Sequence, residues 1–170
     1  MVSLRFQKAS LNDLPLLYEL AREIWIPSFA PLFSKVELEA LYSGMYNDEL
    51  LSKWINTEGN DLYFIFQGER AIGYTGIEKK PSHLKLDKIY IHRDLQGQGL
   101  GSEVMDFIEE LAHSSQLGEI RLRVNRENHS AIRFYKNRDY SIVESVDFPG
   151  PGGYMYEDYW MSKILSGDRS

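Results

Sequence analysis

The first third of the chain changes from strand-like to helix-like spacing of its hydrophobic residues. Leu4 and Phe6 alternate with polar residues, which predicts a short strand over 2–8. After N-cap chemistry at 10–13, apolar residues recur every three to four positions and predict a helix. We expect this helix to end before Pro27, because proline cannot donate to the helical ladder. The rest of the first third is predicted to form a loop over 28–34 and helices over 35–46 and 48–55.

Strand-forming residues dominate the middle of the chain. Residues 62–66 are continuously apolar and rich in aromatic side chains, which predicts a strand buried on both faces. A hairpin turn at 68–69 leads to a second strand over 71–78, and a turn over 79–83 leads to a third over 84–92. The glycine-rich residues 96–101 follow immediately.

Helix and strand patterns alternate in the last third. Leu100, Val104 and Ile108 share one stripe of a helix that should turn Glu109 outward and stop at Gly118. The following elements are predicted as a strand over 120–124, a helix over 128–137, strands over 140–146 and 154–164, and a Pro-Gly loop over 149–153 between them. Hairpin strands joined to strand–helix–strand units predict a mixed sheet with helices on its faces.

Composition narrows the class of protein. A length of 170 residues and a mass of 19.7 kDa suit one domain over 1–170 with a real core. The net charge of -6 gives a nucleic-acid partner no electrostatic support and suits a cationic small molecule. The absence of cysteine excludes disulfides, thiolate metal sites and a cysteine nucleophile. We see no signal-peptide pattern and no apolar run long enough to span a bilayer, so we expect a cytoplasmic protein without membrane attachment.

The glycine-rich segment Gln-Gly-Gln-Gly-Leu-Gly at 96–101 is the strongest chemical signal. Glycines let the backbone approach a ligand closely, and a helix start directs free N–H groups at it, which together favour a pyrophosphate. A Walker A loop would require lysine after Gly101, where Ser102 stands. The dinucleotide pattern G-x-G-x-x-G, counted from Gly97, would require a third glycine at Ser102. A plain strand-to-helix turn is the alternative interpretation.

Two motifs together resemble the GNAT superfamily of N-acetyltransferases. The segment beginning at Gln96 fits the acetyl-coenzyme A signature Q-x-x-G-x-G of that family. About thirty residues later, Asn128 to Tyr135 resemble its N-x-x-A-x-x-F-Y segment, although Asn128 is also an ordinary helix cap. The chain departs from the family at Asp139, where a glycine with positive φ commonly ends the helix. The organisation of the whole chain is similar to the PaiA-type polyamine acetyltransferases.

The resemblance implies a fold, a cofactor and a set of binding residues. The fold is of the α/β type, an α+β arrangement whose mostly antiparallel sheet is splayed in the middle, with helices on both faces. The co-substrate is acetyl-coenzyme A, and no metal is required. The resemblance implies that the coenzyme is bound by Ile89, Tyr90, Ile91, Gln96, Gly97, Gln98, Gly99, Leu100, Gly101, Asn128 and Lys136.

The implied reaction is direct attack of a primary amine on the thioester, and it needs two proton transfers. Tyr135 matches the tyrosine that commonly serves as general acid in the family, with packing as its alternative role. Glu78 is our choice of general base on its predicted strand, over Asp87, His92 and His129.

The acceptor should be a small amine or polyamine, bound by the first helices and the final strands. Trp25 and Phe29 are the candidate substrate-binding residues, although aromatic residues at helical spacing are usually core. The alternatives are an acetyltransferase for protein N-termini or lysines and a coenzyme-A-binding regulator without catalysis. The sequence leaves the oligomeric state open, with a homodimer as one option.

Overall fold

A computed structural model of the chain describes residues 3–150 and 153–167. Its strands within those ranges are β1 (Leu4–Lys8), β2 (Asn60–Gln67), β3 (Arg70–Lys79), β4 (Leu84–Ile91), β5 (Glu119–Asn125), β6 (Ser141–Pro149) and β7 (Met155–Ile164). Its α-helices are α1 (Leu14–Phe29), α2 (Lys35–Met45), α3 (Asp48–Ile55), α4 (Leu100–Ser114) and α5 (His129–Lys136). The predicted start of the first strand at residue 2, and positions 151–152 of the Pro-Gly loop, lie outside the described residues.

The strands hydrogen-bond in the order β1-β2-β3-β4-β5-β7-β6. The pairs β1–β2, β5–β7 and β6–β7 are antiparallel, and β4–β5 is parallel. Parallel pairing requires a crossover, which α4 supplies between β4 and β5. The predicted α/β class with a mixed, mostly antiparallel sheet is therefore confirmed.

The described residues form two compact units, and the single domain over 1–170 stays a prediction. The first unit comprises the chain up to Ile77 together with Lys88–Met105. Its core packs α1, α2 and α3 against β2 and β3 through side chains such as Leu17, Ile24 and Phe64. The second unit comprises Glu78–Asp87 and the chain from Asp106 onward. Its fully buried side chains include Ile108, Ala112, Ile120, Leu122 and Met161.

Helix α1 continues through Pro27 to Phe29, so the predicted end before Pro27 is wrong. Pro27 lies two residues before the end of the helix, where its missing N–H costs the single hydrogen bond to the Glu23 carbonyl. Two side chains bind other carbonyls of this last turn. The Ser28 hydroxyl donates to the Ile24 carbonyl at 2.6 Å, and the Arg93 guanidinium donates to the Pro27 carbonyl at 3.2 Å.

Two expectations for α4 are also wrong. Glu109 is buried, because its Oε1 accepts hydrogen bonds from Arg138 at 3.2 Å and Lys163 at 2.9 Å. The helix ends in a turn around Gln116 (φ 57°), where Leu117 N–H returns to the Ala112 carbonyl. Gln116 takes the left-handed conformation that usually favours glycine, so Gly118 is not what stops the helix.

A test of the close approach between β3 and β4 uses Gly73. A Cβ at this position would lie 2.2 Å from the carbonyl oxygen of Tyr90. We expect Gly73→Ala to lower the free energy of unfolding by about 1–3 kcal/mol, because the strands must separate. In the control Gly118→Ala the new Cβ meets no atom within 4 Å, and stability should hold or rise by about 0.4–1 kcal/mol. Urea unfolding measures the stability of both variants. Equal unfolding midpoints for the two would contradict the close approach of β3 and β4 at Gly73.

Candidate functional site

The loop between β4 and α4 is shaped by two left-handed glycines. Gly97 has φ 79° and Gly99 has φ 80°, and a Cβ at either position would meet no atom within 4 Å. The space beside both residues is therefore open. Other residue types pay a steric cost in this conformation, so the glycines fix the path of the loop.

The loop presents a row of backbone N–H groups. The Gln96 N–H bonds the Arg93 carbonyl at 3.2 Å, and the N–H groups of Ser102 and Glu103 both bond the Gly99 carbonyl. Within the described part of the chain, the intervening amides from 97 to 101 have no acceptor. They lie at the N-terminus of a 15-residue helix, where the helix dipole adds partial positive charge.

The acidic side chains near this loop are bound elsewhere. The Glu103 carboxylate accepts from the Leu4 N–H at 2.8 Å, and Asp94 pairs with Arg70 at 3.3 Å. The Gln98 side chain donates to the Asp94 carbonyl at 3.5 Å. Open space, unused amides and a helix start fit the pyrophosphate of a coenzyme.

The end of β4 leads into this loop. The parallel β4–β5 ladder pairs Leu84 with Ile120 and ends, among the described residues, at Leu86 with Leu122. The sequence-predicted residues Ile89, Tyr90 and Ile91 follow along β4 beyond that last pair. That they bind the coenzyme arm stays a prediction.

Tyr135 lies in the second unit, on α5, and is buried. Its ring packs edge-on against Phe134 and Tyr140, with centroid distances of 5.2 Å and 5.7 Å. No side chain among the described residues hydrogen-bonds its hydroxyl. Burial raises the pKa of Tyr135 to about 12, because water no longer stabilises the phenolate. The hydroxyl is thus neutral at physiological pH and available as a donor.

The other predicted residues near α5 have ordinary local roles as well. The Asn128 Oδ1 accepts from the Ala131 N–H at 3.2 Å and caps the helix. Lys136, in the last turn of α5, lies with Asp139 and Ser141 along a shallow depression. Their contacts to the coenzyme stay predictions.

Glu78, the chosen base, is ion-paired. Its two carboxylate oxygens bind Lys85 at 2.6 Å and Lys80 at 2.5 Å. Asp87 shares Lys85 at 3.2 Å, so the two strand carboxylates form one cluster. These ammonium groups occupy lone pairs that a base would use. His92, a further candidate, lies in the first unit, 3.1 Å from Glu23.

The candidate substrate residues lie at the end of α1. Trp25 is only 4% exposed, and its ring packs against Tyr42 and Tyr46 in the core of the first unit. Phe29 is half-buried, with its ring centroid 4.7 Å from that of Trp25. Of the pair, Phe29 keeps more surface for a ligand.

The sequence analysis did not predict a network of charged side chains beside Tyr140. Glu109, Arg138 and Lys163 come from α4, the turn after α5, and β7. The available signal was Glu109 itself, a charged residue one position after the buried Ile108 on the apolar stripe. Nothing local identified its partners, which lie 29 and 54 residues away.

A mixed sheet and an open, glycine-rich loop at a helix start are typical of acetyl-coenzyme A-dependent N-acetyltransferases, and comparison with known proteins places the chain in this class. The sequence model of the acetyltransferase (GNAT) family matches residues 17–140. The chain belongs to this family.

Curated relatives share about a quarter of the sequence. A spermidine N(1)-acetyltransferase from Thermoplasma acidophilum is 24% identical over 148 residues, covering 85% of this chain and 92% of that protein. An uncharacterized N-acetyltransferase from Lactobacillus delbrueckii subsp. lactis is 25% identical over 146 residues, covering 81% and 84%.

Solved structures show the same fold. The PaiA N-acetyltransferase of T. acidophilum, in complex with coenzyme A, matches with a TM-score of 0.78 and 22% identity, covering 96% of this chain and 99% of that chain. The ribosomal-protein-S18-alanine N-acetyltransferase of Escherichia coli matches with a TM-score of 0.72 and 16% identity, covering 98% and 97%.

The described residues contain neither a membrane-spanning helix nor a metal-binding cluster. No helix within 3–150 or 153–167 has both the length and the apolar character needed to cross a membrane. In the same ranges, no group of three His, Asp or Glu side chains could hold a metal ion.

Coenzyme binding by the 96–101 loop can be tested with two matched glycine variants. We expect Gly99→Ala to weaken coenzyme A binding about tenfold, because the methyl group fills the open space beside the amides. Gly68→Ala is the control, since Gly68 also has positive φ and open space but lies in the β2–β3 hairpin. Both variants should lose about 1–2 kcal/mol of stability from the left-handed backbone. Titration calorimetry measures the affinity of each variant for coenzyme A. Equal losses of affinity in the two variants would contradict the assignment of the 96–101 loop as the coenzyme-binding loop.

Proposed function

We propose that this enzyme transfers the acetyl group of acetyl-coenzyme A to a primary amine of a small polyamine. The row of unused amides beside Gly97 and Gly99 carries the proposal, because it supplies a pyrophosphate site without any lysine or metal. Similarity to the T. acidophilum spermidine N(1)-acetyltransferase supports the acceptor class. The net charge of -6 also suits a polycation.

The transfer takes place by direct attack in a ternary complex. A C–N bond forms as the C–S bond breaks, the amine nitrogen loses a proton, and the sulfur gains one. Acetyl-coenzyme A supplies the activated thioester when it is bound, and coenzyme A leaves as the thiol. An alkyl amine with a pKa of about 10.4 arrives protonated, so it must first be deprotonated.

Tyr135 is the proposed donor to the departing sulfur. Its pKa of about 12 keeps the hydroxyl protonated throughout the working range. A thiol in water has a lower pKa, about 8.5, so proton transfer from Tyr135 would be unfavourable there. Apolar surroundings raise the pKa of a departing thiol as well, and this reduces the mismatch. The hydroxyl also stabilises the thiolate as a hydrogen-bond donor.

Glu78 is the proposed base, acting through water. Its carboxylate oxygens are paired with Lys80 and Lys85, so a water molecule must reach the carboxylate beside these ammonium groups for the proposed role. The coenzyme arm and phosphates are proposed to be held by the backbone of β4 from Ile89 to Ile91, by Asn128 and by Lys136. Phe29 is proposed to border the acceptor site, with the buried Trp25 packed against its ring.

An acceptor panel tests the substrate class. We expect kcat/KM for thiol release to be at least about tenfold higher with spermidine and spermine than with a monoamine that has a neutral tail. The reason is that one hydrogen bond to a charged group contributes about 1.5–3 kcal/mol. The panel includes a peptide with an alanine N-terminus and a lysine peptide. Turnover of a peptide but of no polyamine would replace the proposal with a protein acetyltransferase. Coenzyme binding without any turnover would replace it with a regulator.

The role of Tyr135 is tested by removing its hydroxyl. We expect Tyr135→Phe to lower kcat about 100-fold at unchanged affinity for acetyl-coenzyme A, the usual magnitude for a lost general acid. In the wild type, a pKa of about 12 predicts that kcat shows no loss from Tyr135 ionisation up to about pH 10. Tyr63→Phe, in β2 of the first unit, is the control and should keep full activity. An unchanged kcat in Tyr135→Phe would show that this tyrosine only packs.

A further inference from the structure

The turn after α5 folds the chain back onto Tyr135. The N–H of Tyr140 bonds the Tyr135 carbonyl at 3.0 Å, and the N–H of Asp139 bonds the Lys136 carbonyl at 3.1 Å. This is the Schellman arrangement, with Asp139 as its left-handed residue at φ 68°. Asp139 thus takes the left-handed position at which the family commonly has glycine, and the departure seen in the sequence leaves the turn intact.

The same turn brings two tyrosine rings together. The rings of Tyr135 and Tyr140 meet at a centroid distance of 5.7 Å and an angle of 62°, a favourable edge-on geometry. Tyr140 is 2% exposed, and its hydroxyl is buried with no hydrogen-bond partner in the described structure. An unpaired hydroxyl costs stability, so the ring and not the hydroxyl accounts for the packing here.

A charged network holds the other side of this turn. The Arg138 guanidinium bonds Asp106 at 2.5 Å and Glu109 at 3.2 Å, and Lys163 bonds the same Glu109 oxygen at 2.9 Å. The Lys163 ammonium lies 5.8 Å from the centre of the Tyr140 ring. Tyr140 is thus confined between these charges and the ring of Tyr135. Side chains from α4, the turn and β7 all contribute.

We propose that Tyr140 is a positioning residue for Tyr135, whose ring fixes the orientation of the Tyr135 phenol and keeps water from it. This rests on the proposed role of Tyr135 as the donor to the leaving sulfur. If the Tyr135 phenol can rotate or become hydrated, its hydroxyl is less often oriented toward the departing sulfur. Loss of Tyr140 should therefore lower kcat. The charged groups around the pair are Asp106 and Glu109 on α4, Arg138 in the turn and Lys163 on β7.

A double-mutant cycle tests this proposal. We expect Tyr140→Leu to lower kcat about tenfold with little change in KM for acetyl-coenzyme A, and Tyr140→Phe, which keeps the ring, to rescue it. In the Tyr135→Phe background, Tyr140→Leu should cost less than about twofold more, because the group it positions is already gone. A merely structural role would give the same loss in both backgrounds. That result would overturn the proposal.

A second pair of variants covers the case in which Tyr140→Leu does not fold. Asp139→Gly should leave kcat unchanged, because glycine adopts the left-handed conformation of residue 139 without a steric cost. Asp139→Ala should strain the backbone of this turn. It should therefore lower kcat, but only in a protein that retains Tyr135. Equal kcat in the two Asp139 variants would also overturn the proposal.

The failure of the positioning role can be distinguished from the failure of the proposed general acid. If Tyr135→Phe alone leaves kcat unchanged, the role of Tyr135 as general acid is wrong. If Tyr135→Phe lowers kcat but the cycle is additive, only the positioning role fails.

Discussion

The left-handed backbone at Gly97 and Gly99 is the constraint on which the proposed chemistry depends. A peptide chain that leaves β4 and enters α4 must turn within a few residues, and these two glycines make the turn without a steric cost. The turn leaves several amides unbonded at the start of a helix, where the helix dipole adds positive character. An anion with several oxygens then satisfies groups that the protein itself leaves open.

Buried hydroxyls are the second theme of the structure. Tyr46 and Tyr74 meet at 2.5 Å in the core of the first unit, so each desolvated hydroxyl has a partner. Tyr135 and Tyr140 in the second unit have none among the described residues. Burial raises the pKa of all four, because the phenolate loses water. A neutral, unpartnered phenol is costly for folding, yet it is the state that a proton donor requires.

Two expectations based on local rules failed. Proline is a poor helix residue, but Pro27 lies in the last turn of α1, where it removes a single hydrogen bond of the helix. A glutamate near the apolar stripe of α4 would ordinarily face water. Glu109 is buried instead, because Arg138 and Lys163 together offset the loss of hydration. The terminal turns likewise show that Gln116 and Asp139 can replace glycine when the surrounding hydrogen bonds hold them.

The sequence alone determined the order of strands and helices and the glycine loop, because short-range periodicity and backbone freedom depend on neighbouring residues. It also indicated the family, through two short motifs that resemble those of known N-acetyltransferases. Only the tertiary structure decided that Trp25 is buried in the core, that Glu78 binds two lysines, and that the rings of Tyr140 and Tyr135 pack edge-on. Side-chain partners and desolvation depend on which distant segments meet, and the spacing of residues along the chain carries no record of that.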